Sequence, residues 1–209
     1  VIILYTSIGG FLAASTTDFI QGVLMSASIV VVLVVGVMEA GGVEAILENG
    51  KNLAGYFSLT DVHDAETGKA VSYGLITVVS GLAWGLGYFG MPHILVRFMA
   101  IKNSKMIKKS SAVAITWLIV TLGAAIAIAF LGRTYLLSDG GALAEKLLPG
   151  SQARVFIEIV LDMFPGFIAG ILLAAIVAAS MSTADSQLLL STSAFTSDVY
   201  KPIFRKKAS

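Results

Sequence analysis

Near the C-terminal end of the chain, Ala179, Ser182, Thr183 and Ser186 recur at helical spacing inside a long apolar run, Pro165 to Leu190. At about 100° per residue these four share one face, with Asp185 at its edge. Polar and ionisable groups at membrane depth are costly, so they mark an ion path, a substrate site or a helix contact. The packing explanation is that Ala, Ser and Thr let backbones approach and hydrogen-bond across an interface. The alternative is chemical. Hydroxyls at i, i+3, i+4 and i+7 aim their oxygens into one small volume, which the Ala179 carbonyl can also face, and Asp185 adds a negative charge. Neutral oxygens beside one carboxylate suit a hard monovalent cation such as Na⁺. The run offers neither thiolate nor imidazole, so Zn²⁺ or copper does not fit.

A second group of residues lies at 81–93, in Gly81-Leu-Ala-Trp84-Gly85-Leu-Gly87-Tyr88-Phe-Gly90-Met91-Pro92-His93. Four glycines and a proline weaken a helix here and expose backbone groups, as in the interrupted spans that flank transporter substrate sites. Trp84, Tyr88 and Pro92 are four apart, which suits a small apolar body with the Tyr hydroxyl as a polar handle. A glycine-rich packing helix with interfacial aromatics explains the same residues. His93, beside Pro92, reads as a structural or interfacial residue. Asp18, in Ser15-Thr-Thr-Asp18-Phe-Ile-Gln21, reads as a carboxylate stabilised by a helix N-terminus or as a way station for a departing cation.

The elements that must carry these residues are membrane helices. The chain of 209 residues is 56% hydrophobic and 13% charged, with mean hydropathy +0.88; soluble domains run near a quarter charged. A span needs about 20 apolar residues. We expect an all-α integral membrane architecture with spans at 17–39, 73–98, 111–132 and 166–196, preceded by the tail of another at 1–8. With Val1 inside an apolar run and no charged leader, the chain reads as an internal piece of a longer protein. Arg97, Lys102, Lys105, Lys108 and Lys109 cluster in one loop, and Lys201, Arg205, Lys206 and Lys207 follow the last span. Residues 39–72 and 132–164 hold ten of the thirteen acidic residues and five basic ones. Lys/Arg excess marks the cytoplasmic side, so the expectation is a cytoplasmic loop 99–110 and tail 198–209, with outer loops 40–72 and 133–165. The basic loop reads as an orientation signal only. Arg154–Phe164, too short to cross, is expected as an amphipathic helix on the outer surface or capping a cavity.

Four segments together resemble the sodium:solute symporter family, in its sodium/proline symporter branch: ILYTSIGGFLA–TD–Q at 3–21, AWGLGYFG-PHI--RFMA at 83–100, RVFIE at 154–158 and AGILLAAI-AA-MST--SQLL at 169–190. Their order and spacing cover nearly the whole chain. The resemblance implies a LeuT-type fold, with a core of two inverted five-helix repeats, of which this stretch would run from the end of the fourth core helix through the eighth. It implies that Ala179, Ser182 and Thr183 hold the main sodium ion, with carbonyls of the first core helix. It ties Trp84, Tyr88 and Pro92 to proline, and Asp18 to sodium. A second cation site or release path would use Asp18, Ser182, Asp185 and Ser186. Two positions depart from the pattern: Met91 stands where Gln is expected, and Asp185 where related chains carry Ser.

The implied function is Na⁺-coupled secondary active uptake of L-proline by alternating access, with Na⁺ as the co-transported ion and no organic cofactor. The expected partners are proline, Na⁺, the lipid bilayer of a cell membrane and the rest of the same chain, with no nucleic acid. A symporter for another small solute, such as pantothenate or a related carboxylate, is the nearest alternative. A channel, or an intramembrane hydrolase using Ser182 or Ser186, is more distant, because the hydrolase would need His93 as a base from a different span.

Overall fold

In a computed structural model of the chain, residues 1–64, 66–88, 90–138 and 152–205 are described. Parts of the expected outer loop 133–165 and of the basic tail, including Lys206 and Lys207, lie outside them. The elements are α1 (Ile2–Glu39), α2 (Val43–Lys51), strands β1 (Asp61–His63) and β2 (Ala70–Ser72), α3 (Leu75–Tyr88), α4 (Pro92–Met99), α5 (Ser104–Ser138), α6 (Val155–Met163), α7 (Gly166–Ala194) and a short α8 (Lys201–Phe204). Among the described residues, four helical runs are long and apolar enough to cross a membrane: Ile2–Glu39, Leu75–Met99, Ser104–Leu137 and Gly166–Phe204. The all-α, multi-pass class expected from composition is thus what the chain adopts.

The first two expected stretches are not separated by a loop. They form one helical run broken at Gly10, whose backbone (φ 54°, ψ −140°) lies where side chains other than glycine's are disfavoured. The break is sharp. In a straight helix positions 5 and 18 would lie about 20 Å apart, yet Tyr5 and Asp18 reach adjacent residues of α7, Asp185 and Ser186. Residues 2–9 therefore fold back as an arm beside α7.

The main core forms where α1, α5, α6 and α7 meet, around Val32, Ile128, Ile159, Val160, Ala169 and Leu172. Lipid tails are as apolar as these side chains, so close packing and hydrogen bonds must supply the association. Gly36 of α1 shows the packing term. A Cβ built there would sit 2.3 Å from Leu131 Cδ2 of α5, so only glycine lets the two helices approach this closely. α6 is more than a surface helix. Its Ile159 and Val160 are completely buried, while Glu158 pairs with Arg154 at 3.1 Å and Asp162 accepts the Tyr135 hydroxyl at 2.7 Å.

Between α2 and α3, β1 and β2 pair antiparallel, with Val62 opposite Val71. Three-residue strands carry too little alternation to be read from sequence. The Asp61 carboxylate fixes this hairpin by accepting the hydroxyls of Ser72 at 2.6 Å, Ser58 at 2.8 Å and Thr60 at 3.1 Å. These bonds favour the ionised form and hold its pKa below the usual carboxylate range.

Candidate ion and substrate site

α7 is continuous from Gly166 to Ala194, starting just after Pro165. Its Ala, Leu and Ile content favours the helix, and no glycine or proline interrupts it beyond Gly170. Its hydroxyls satisfy themselves locally, as Ser and Thr do in apolar helices by bonding carbonyls three or four residues back. Ser182 Oγ donates to the Ala179 carbonyl at 3.0 Å and Thr183 Oγ1 to the same oxygen at 3.4 Å. Both hydroxyls singled out for sodium thus lie within hydrogen-bond distance of the third group, the Ala179 carbonyl. Ser182 and Ala179 are half-buried, whereas Thr183 is exposed.

One turn further along, a polar network joins three helices. Asp185 is completely buried. Its Oδ2 accepts the Tyr5 hydroxyl at 2.6 Å and its Oδ1 accepts Ser186 Oγ at 3.3 Å. Ser186 Oγ also lies 3.1 Å from the Ser182 carbonyl and 3.4 Å from Asp18 Oδ2, so its one hydrogen is shared among three acceptors. From α4, Arg97 forms an ion pair with Asp18 and donates to Ser186 at 2.8 Å. The stripe edge holding Asp185 is therefore turned into the protein, where Tyr5 is bonded to it.

Two members of this network were not apparent from sequence. Tyr5 sits in an apolar run with no cue to a partner 180 residues away. Arg97 reads as the first residue of the basic loop, yet it engages Asp18 and Ser186 rather than solvent alone. Beyond any part in orientation, Arg97 is thus a member of the polar network. It sits in the last turn of α4, ahead of the loop lysines, where its side chain reaches α1 and α7. Asp18, His93, Arg97 and Ser186 line a common cavity of about 480 Å³, closed on other sides by Phe11, Leu189 and neighbouring residues of α1, α4 and α7.

Trp84, Tyr88 and Pro92 are placed differently. The rings of Trp84 and Tyr88 lie 5.6 Å apart at 34°, as their spacing predicts. The helix then stops at Tyr88 and restarts at Pro92, with Met91 extended (φ −68°, ψ 121°). Proline restricts the preceding residue to extended backbone and fits the first turn of a new helix. The expected interruption is present, and it takes Pro92 off a continuous face shared with the two rings. Trp84 is 71% exposed, Tyr88 46%, and neither lines the cavity beside Asp18. Among the described residues no three His, Asp or Glu side chains gather to hold a metal ion. The oxygens on offer are hydroxyls, carbonyls and single carboxylates, a hard donor set.

Apolar helices of spanning length that approach closely at glycine and bury a carboxylate among them define a multi-pass helical membrane protein. The family model for the sodium:solute symporter family matches residues 1–209. The chain belongs to that family. It is 39% identical over 209 residues to the osmoregulated proline transporter OpuE of Bacillus subtilis (strain 168), covering 100% of this chain and 39% of the relative. It is 41% identical over 207 residues to the sodium/proline symporter of Escherichia coli (strain K12), covering 99% and 39%. To the high-affinity proline transporter PutP of Bacillus subtilis it is 38% identical over 210 residues, covering 100% and 41%. The chain thus spans about two fifths of the length of these relatives. No solved structure matches it.

Proposed function

We propose that the protein of which this chain forms part takes up L-proline by sodium symport, using a LeuT-type inverted-repeat core. The observation that carries this reading is the convergence of Ser182 Oγ and Thr183 Oγ1 on the Ala179 carbonyl. These three oxygens, joined by carbonyls from elsewhere in the full protein, replace water around Na⁺. The names of the similar proteins, two of them proline transporters and one a sodium/proline symporter, support the same assignment.

Sodium binding pins α7 and favours the state that accepts substrate from outside. Proline then lies against Trp84 and Pro92, with the Tyr88 hydroxyl as hydrogen-bond partner. The repeats rock, sodium leaves past Asp18 and the cavity, and proline follows. One Na⁺ gains about 2.3 kcal/mol from 100 mV and about 1.4 kcal/mol from a tenfold gradient. Together these sustain roughly several-hundred-fold accumulation. No covalent step is needed, so the protein acts as a transporter and not as an enzyme. In this reading loop 99–110 and the tail face the cytoplasm, and loops 40–72 and 133–165 face outward, across the cell membrane. Asp185, held by Tyr5, is a structural acid here rather than a ligand, which leaves Asp18 and Ser186 as the release path.

The test is uptake of labelled proline by liposomes containing the full-length protein. An inward Na⁺ gradient is expected to drive accumulation, and an outward one to abolish it. Uptake indifferent to Na⁺ contradicts symport. Stronger competition from pantothenate than from proline reassigns the substrate, a point on which Met91, beside Pro92, bears directly.

A further inference from the structure

We infer that Arg97 is a tethered cation that competes with Na⁺ for Asp18 and Ser186, so that its guanidinium lowers sodium affinity on the release side. The proposal rests on the sodium-coupled reading above and adds to it a residue that sets ion affinity.

Three observations carry it. First, the guanidinium already occupies the place a metal cation would take: it is paired with Asp18 Oδ2 and donates to Ser186 Oγ at 2.8 Å. Second, oxygens remain at hand for a replacement ion. Among the described residues Asp18 Oδ1 is buried without a hydrogen-bond partner, and Gln21 Oε1, one turn along α1, is buried and unpartnered too. A buried acceptor left unpaired is costly, and a small cation drawing on Asp18 would relieve that cost. Third, Arg97 is free to leave. Its side chain is 51% exposed against 11% for Asp18, and it opens onto the cavity that His93 and Ser186 also line. Its helix, α4, has eight residues, buries none of them and begins at the Pro92 break.

The two occupants exclude each other electrostatically. A sodium ion leaving Ala179, Ser182 and Thr183 for Asp18 meets either the carboxylate alone or a carboxylate already neutralised. With Arg97 docked, the acid has no net charge to hold the ion, and the ion passes to the cavity. With Arg97 withdrawn, the ion stays. Lysine keeps the charge on a shorter side chain with a more strongly hydrated head group, so it competes less well for these acceptors.

The experiment is equilibrium binding of radioactive sodium to the full-length protein, in wild type, Arg97→Gln, Arg97→Lys, Asp18→Asn and the Asp18→Asn/Arg97→Gln double variant. Arg97→Gln is expected to bind sodium at least about fivefold more tightly, within the range of intramolecular couplings, and Arg97→Lys to fall between it and wild type. In the Asp18→Asn background the same change shrinks to less than about twofold, because the contested group is gone. Wild-type or weaker affinity in Arg97→Gln overturns the proposal, as does an undiminished gain in the Asp18→Asn background. Where Arg97→Gln does not yield folded protein, Arg97→Lys decides by the same criterion: tighter binding supports competition and unchanged binding overturns it. Wild-type protein that binds no sodium overturns the symport reading itself. Wild-type binding with unresponsive Arg97 variants removes this inference alone.

Discussion

α7 and α3 are both strongly apolar, yet α7 buries Ala169, Leu172, Ala175, Ala178 and Asp185, whereas α3 buries none of its residues. The difference lies in what each helix meets. Along α7, alanines and hydroxyls face α1 and its folded arm, and hydrogen bonds to Tyr5 and Asp18 tie the three segments together. Along α3, a Cβ at Gly81, Gly85 or Gly87 would touch nothing within 4 Å. In a membrane the hydrophobic effect does not drive helices together, so a helix without polar links or a fitted groove stays apart. The polar network around Asp18, Asp185 and Ser186 is thus assembled from within this chain. The rings of α3, Trp84 and Tyr88, are instead exposed.

Substitutions on the two helices are expected to sharpen that contrast. Tyr5→Phe removes a hydrogen bond to a buried carboxylate, worth about 1.5–3 kcal/mol. Thermal unfolding of the full-length protein in detergent is expected to show this loss, and a change under about 0.5 kcal/mol would mean that the arm is not fastened to α7. Trp84→Ala, on the open helix, is expected to change stability by less than about 0.5 kcal/mol. The same variant should raise the proline concentration for half-maximal uptake about tenfold, which corresponds to roughly 1.4 kcal/mol. A large stability loss there would show that α3 is packed in the full protein after all.

Much of this architecture is legible in the sequence, for reasons that differ by region. Apolar runs of bilayer length announce the spans because nothing else in a globular chain needs them. The stripe on α7 is visible because helical periodicity puts Ala179, Ser182, Thr183 and Ser186 on one face whatever surrounds them. The break before Pro92 is visible because proline acts locally. Long-range pairing is not. Tyr5 looks like any residue of an apolar run until the reversal at Gly10 brings it to Asp185, and Gly9-Gly10 alone signals a boundary without its angle. Arg97 looks like one more basic residue at a helix end, since the charge pattern carries sidedness and does not say which member turns inward.

The account depends most on the oxygens of α7 holding sodium. The direct measurement is equilibrium binding of radioactive sodium to the full-length protein carrying Ser182→Ala and Thr183→Ala together, after its unfolding temperature has been matched to wild type. The account predicts affinity weakened at least about tenfold, roughly 1.4 kcal/mol or more. Sodium bound with wild-type affinity by the folded double variant would contradict it.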